Sequence, residues 1–409
     1  MGGQAKMNDP RLYANHELMI TGKGPISLLV TAALMSCTTV QPSSSFHFEQ
    51  DEALVANESQ LLSANEMDED ISMVQFALEH AYIGSRYLPS ENFQKLKESV
   101  HSLKTREAMK AVDFCTQVGN SLQAALDSHL SAQINKQRCG FQTEYVSSVG
   151  SNYGKQVKQA WEIQYRRVKK RKIPILSIHF LPAFDASDWK GYPEAVEVLK
   201  TFESIVVDLR DNGGGDDSRG YEPAESLAGQ PPESAYKAPL ELNTVEAISS
   251  FKNTMIWYQK AIGQDRGDGQ QYAGMIEGLK RKLVEAQNGN LPEVSEAHDG
   301  QNSVSNKSSP YEGTVYVLVN RKTASSGESS AEALRALPKA KLVGENTAGY
   351  IHFGNKGQFQ LPHSKIVISM GTHFTAYKDG KFLEKVGMSP DISVPAGEDA
   401  LDWLIANRY

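Results

Sequence analysis

Scarcity limits what this chain of 409 residues can be. It has three cysteines, too few for a disulfide-dense scaffold, and Cys37, Cys115 and Cys139 do not fall at zinc-ligand spacing. Its ten histidines do not fall at ligand spacing, so neither a metal nor another cofactor is expected. Basic residues are not in excess: 42 Lys and Arg stand against 49 Asp and Glu, a formal charge of −7. That balance gives no electrostatic ground for nucleic acid as a partner. An apolar stretch long enough to span a bilayer is also lacking, because the run Ile26 to Met35 stops at about ten residues. What remains is an ordinary globular composition, 40% hydrophobic and 22% charged, with room for two or three packed units.

The run Ile26 to Met35 has the length of a signal-peptide h-region, and Met19 to Lys23 before it reads as the n-region. Translation from Met19 rather than Met1 fits that reading. The run ends at Leu34-Met35-Ser36-Cys37, which resembles the lipobox of bacterial lipoproteins. The resemblance implies that Cys37 is lipidated, that residues 1–37 are a leader, and that the mature protein is exported and membrane-associated. Residues 38–65, rich in Ser, Gln, Asn and Glu, read as a tether. Cys115 and Cys139 remain, either as a disulfide in an exported protein or as two buried thiols.

From Glu66 to Gln142 apolar residues recur at three- and four-residue spacing, predicting a small helical bundle within 66–150. Ser128-His129 lies near its end. The basic stretch Val157 to Arg171 reads as a further helix with a solvated end. An αβ alternation then begins: a strand at Ile173–Phe180, a helix at Tyr192–Phe202 and a buried strand at Ser204–Leu209. Arg210-Asp211-Asn212-Gly213-Gly214-Gly215 follows, a turn that lets backbone approach a ligand closely but lacks the Lys-Ser/Thr of a P-loop. Residues 231–310 show no core strand and read as a helical insertion, which either caps the site or only decorates it.

The densest chemistry lies in residues 313–350. A β-branched strand (Val315 to Val319) stops at Asn320, and Thr323-Ala324-Ser325-Ser326-Gly327-Glu328 opens a helix. Such a turn holds a hydroxyl in the open, with helix N-terminal N–H groups beside it, the geometry a nucleophile needs. A simple Ser N-cap is the competing reading. The strand Lys341–Gly344 and Glu345-Asn346-Thr347-Ala348-Gly349-Tyr350 come next. Ile366–Met370 and Thr372–Tyr377 read as paired strands, and Glu384 precedes a Gly-Met-Ser-Pro-Asp ending.

DLRDNGGG, the TASSGE turn, the GENTAG stretch and the Glu384 ending, in this order, resemble the tail-specific (carboxy-terminal processing) proteases and the tricorn protease core. The resemblance implies an α/β fold, a crotonase/ClpP-like ββα superhelix core with an N-terminal helical bundle and a helical insertion. It implies a catalytic core in two parts, 151–230 and 311–409, around the insertion. It also implies a serine peptidase acting on peptide or protein substrates, with Ser325 as nucleophile. Tyr350 stands where Ser-Lys relatives carry a Lys, so a His base is sought. In the tricorn-like branch, Ser128-His129 and Glu384 would complete a Ser-His-Ser-Glu tetrad. The N–H groups of Ser326 and of Gly213 or Gly214 would form the oxyanion hole. Glu345 and Tyr350 would shape the substrate pocket, and His179 is a rival base inside an apolar strand. Too few residues separate His129 from Ile173 to hold a PDZ domain. An inactive ligand-binding protein and an esterase are the alternatives within the same fold.

Overall fold

Val315 to Val319 form the strand Thr314–Val319 in the middle of a six-stranded sheet of the computed structural model, which describes residues 46–103, 107–140, 159–182, 187–266, 269–297 and 309–409. The strand order is Ile392–Ser393, Ala340–Gly344, Thr314–Val319, Ser204–Asp208, Arg171–Ile178 and Trp161–Val168. All neighbours are parallel except the final hairpin. Near-continuous Val, Ile and Leu fit strands buried on both faces. Val207, Val317 and Val319 pack under the helices Tyr192–Leu199, Glu222–Ala228 and Ser326–Arg335, while Val206 and Leu318 pack on the C-terminal helix Ala400–Arg408.

This sheet brings the two conspicuous motifs together. Ser204–Asp208 and Thr314–Val319 are parallel neighbours with Leu318 opposite Asp208, so the glycine turn and the serine turn leave the same end of the sheet side by side. Thr314–Val319, the helix Ser326–Arg335 and Ala340–Gly344 make one β-α-β crossover between adjacent parallel strands.

A second, antiparallel sheet has the order Gln137–Arg138, Ser131–Ile134, Val367–Phe374, Leu240–Leu242 and Val294–Glu296, with Phe353–Gln360 alongside Val367–Phe374. The helices Ala64–His80, Ser90–His101 and Ala111–Leu122 cover it. Phe114, Val118 and Leu122 share one core with Phe353, Phe359, Ile368 and Met370, so these helices are not a free-standing bundle. Ser63 starts the first helix as an N-cap in a capping box with Glu66. A disulfide joins Cys115 to Cys139 across 24 residues of sequence.

Several expectations are corrected. The helical pattern ends at Leu122, and residues 131–138 form a hairpin because Ser131–Gln133 pairs with Val367–Ser369. The described part of the basic stretch is a strand, Trp161–Val168, at the outer edge of the parallel sheet. Lys and Arg are at home there, because a charged edge resists pairing with other chains. The described part of the tether is packed: Phe46 and Phe48 sit 5.6 Å and 6.1 Å from the ring of Phe76. Residues 231–310 do carry the helices Val245–Arg266 and Gly269–Gln287, but their flanks add two strands to the second sheet. Val367–Phe374 is one unbroken strand, paired with Phe353–Gln360 rather than folded on itself. The leader, Cys37 and the start of the tether lie outside the described residues. Among the described residues, no helix is long and apolar enough to cross a membrane.

Candidate active site

Ser325 holds φ 53° and ψ −128°, a conformation L-residues rarely adopt, immediately before the helix Ser326–Arg335. Buried Glu328, one turn into that helix, fixes it. The Glu328 carboxylate accepts the N–H of Ser325 at 3.2 Å, of Gly349 at 2.9 Å and of Tyr350 at 2.7 Å, together with the Thr347 hydroxyl. Burial pushes its pKa up to about 7 against these hydrogen bonds. The neighbouring serine is differently placed: Ser326 is buried, with Oγ 2.6 Å from Asp217 Oδ1 and 3.0 Å from the Gly215 carbonyl. Ser325 is half-buried and faces a cavity.

The glycine turn lies against the serine turn. Asn212 accepts the Ala324 N–H at 2.9 Å on its carbonyl and the Gly214 N–H at 2.9 Å on its side chain, while its amide donates to Ile178. Gly214 has φ +98°, and a Cβ there would sit 2.9 Å from Ala324 O, Ser325 Cβ and Ser326 N, so only glycine fits. Of the expected oxyanion donors, Gly214 is corrected: its N–H is already given to Asn212. Gly213 and Ser326 remain.

His129 lies on a loop between the helix Ala111–Leu122 and the strand Ser131–Ile134, not on a helix. Asp127 Oδ1 accepts the His129 N–H at 2.7 Å, an Asx turn, and lies 3.9 Å from His129 Nδ1. Neither Nδ1 nor Asp127 Oδ2 has a hydrogen-bond partner among the described residues. Burial, with Lys356 and Arg138 nearby, lowers the His129 pKa to about 3 and leaves the ring neutral. Burial raises Asp127 to about 6. The Tyr350 ring stands edge-on to His129 at 5.1 Å, and its hydroxyl accepts from Arg138 at 3.3 Å.

Ser128 and Glu384 adjoin His129 but are bonded elsewhere. Glu384 accepts three backbone N–H groups, those of Ser128 at 2.9 Å, Ile351 at 3.0 Å and His352 at 2.9 Å. Burial and the like charge of Asp127 hold its pKa well above the carboxylate range. The Ser128 hydroxyl donates to the Gly349 carbonyl at 3.1 Å. Gly349 therefore connects the histidine loop, through Ser128, to Glu328 and the serine turn.

Ser325, His129, Ser128, Gly213 and Tyr350 open onto one cavity of about 1450 Å³. Glu345 is corrected: it is exposed and does not line that cavity. His179 follows the end of its strand, pairs with Glu162 at 3.4 Å and is not in the cavity lining. Sequence reasoning passed over Asp127 and Glu328. The signals were there: an Asp two residues before a His, and a Glu at the third helical position after a Ser.

Residues 175–394 match the model of peptidase family S41. The chain belongs to that family. The nisin-resistance protein of Lactococcus lactis subsp. lactis is 23% identical to it over 220 residues, 54% of this chain and 55% of that protein. The chain thus spans about half the length of this curated relative. Among solved structures, mature CPAF complexed with lactacystin is 14% identical, covers 81% of this chain and 94% of its own, and has a TM-score of 0.50. A CPAF point mutant is 12% identical, covers 84% and 95%, and has a TM-score of 0.53. At such identities the likeness is one of fold, and the α/β architecture described above is that of family S41.

Proposed function

We propose that this chain is a serine peptidase cutting peptide bonds in peptide or protein substrates, with Ser325 as nucleophile and His129 as base. One observation supports this above all others: a serine in a strained strand-to-helix turn shares a cavity with a partly buried, neutral histidine. A serine hydroxyl is almost never ionised near pH 7, so it needs a base to take its proton as it attacks. His129 takes that proton while Ser325 Oγ bonds to the substrate carbonyl carbon. The oxyanion that forms accepts hydrogen bonds from the N–H of Gly213 and Ser326, donors whose single loss typically costs about a hundred- to a thousandfold in rate. The C–N bond then breaks and His129 returns the proton to the leaving amine. Water hydrolyses the resulting ester by the same route. Asp127, 3.9 Å from Nδ1, supports the imidazolium that forms in between, whereas Ser128 and Glu384 hold the loop.

The Cys115–Cys139 disulfide favours an oxidising compartment, in line with the signal-like run and Cys37. We therefore place the protein in the cell envelope, anchored by lipid.

Turnover of casein and of a nitrophenyl ester by wild type and Ser325→Ala tests the reading. Casein cleavage that falls at least about a thousandfold in the variant is expected. Ester turnover without peptide cleavage would make the protein an esterase.

A further inference from the structure

The cavity that holds Ser325 and His129 continues under the two helices Val245–Arg266 and Gly269–Gln287. At about 1450 Å³ it exceeds the roughly 300–1,000 Å³ of pockets for drug-sized ligands and has room for a length of polypeptide. Each helix turns an apolar or aromatic stripe into it, Ile248, Phe251, Met255 and Tyr258 on the first, Tyr272 and Met275 on the second. These positions recur at three, four and three residues, one face of a helix. On the second helix this stripe is additional to the packing one, because Ile276 and Leu283 are the residues buried there, at 6% and 5% exposure, whereas Met275 is 37% exposed. An apolar side chain left open to a cavity beside reactive groups is available to a ligand.

This wall adjoins the chemistry at two points. Lys356, one of the cations that lower the His129 pKa, stands 6.0 Å over the Tyr258 ring. Gln271, at the start of the second helix, donates to Asp216 at 2.9 Å, directly after the glycine turn. On the helices themselves, the lining cation Lys282 is paired with Glu241 at 2.5 Å. Apolar contact is therefore what the paired helices offer.

Building on the peptidase reading above, we propose that the substrate is a polypeptide segment bearing apolar or aromatic side chains, selected by the helical pair through Phe251, Tyr258, Tyr272 and Met275. The test uses Ser325→Ala as a trap and two labelled peptides of equal length and charge, one with Leu and Phe, the other with Ser and Thr at those places. Fluorescence anisotropy is expected to give the apolar peptide at least about a tenfold lower Kd. Adding Phe251→Ser and Met275→Ser should erase the difference, with circular dichroism and thermal melting showing that the variant is folded. Equal affinities, or a difference that survives the double substitution in the folded variant, would overturn the proposal. Labelling of wild-type Ser325 by a fluorophosphonate is read separately. Apolar selectivity with no labelling of the wild type would reject the peptidase reading alone.

Discussion

Asp127 lies beside the imidazole, with Oδ1 3.9 Å from Nδ1, whereas both Glu384 oxygens are taken by three backbone N–H groups. Their substitutions should therefore differ in kind. Asp127→Asn is expected to lower kcat about a hundredfold with KM little changed, as steady-state kinetics would record. Because the Asp127 pKa is raised to about 6, its charge is lost as pH falls through about 6, and kcat/KM of the wild type should fall with it. In Asp127→Asn that acid limb should vanish. Glu384→Gln leaves backbone N–H groups short of an acceptor at roughly 1–3 kcal/mol each, so thermal melting should report a lower Tm. Glu328 adds a pH effect on stability. Its folded pKa of about 7 exceeds the ordinary 4.5, so the folded chain holds this proton more tightly and stability declines as pH rises between those values. Tm measured across that window should fall, and fall less in Glu328→Gln. Ser325 and the glycines were legible because small residues after a strand announce a special turn. The tetrad was less so, since no local pattern reveals that Glu384 spends its oxygens on three N–H groups.

At the scale of elements, local periodicity read the αβ core well and the sequence around His129 poorly. Thr314–Val319 and Ser204–Asp208 carry their β-branched signal within themselves. Ser131–Ile134 does not, and is held as a strand by a short hairpin with Gln137–Arg138 and by pairing with Val367–Ser369 more than 200 residues away. Trp161–Val168 is a strand despite its basic run because it pairs, as a local hairpin, with the apolar strand Arg171–Ile178. The disulfide staples this region, since the 24-residue span from Cys115 to Cys139 contains Asp127, Ser128 and His129. Closing a loop of that size is worth about 3 kcal/mol. Calorimetry of Cys115→Ser/Cys139→Ser is expected to show a loss of that order, with kcat reduced as the histidine loop loosens. At the facing turn, Gly214→Ala must displace Ala324, Ser325 or Ser326, and peptide cleavage should drop at least about a hundredfold, on the order of one lost oxyanion donor.

Across the whole molecule, the proposed chemistry is divided between two sheets. The parallel sheet delivers Ser325 and Gly213 at its strand ends, and the antiparallel sheet supports His129 and Tyr350 on the loops that enter it. Gly349 and Glu328 hold the halves in register. Cooperation between distant parts of the chain is thus the central claim, and labelling by a fluorophosphonate probes it most directly. Wild type and His129→Ala would be labelled in parallel, with the modified peptide mapped by mass spectrometry. The account predicts that the label sits on Ser325 and that its rate falls at least about a hundredfold without the imidazole. Labelling of His129→Ala at the wild-type rate, or a label carried by another residue, would contradict it.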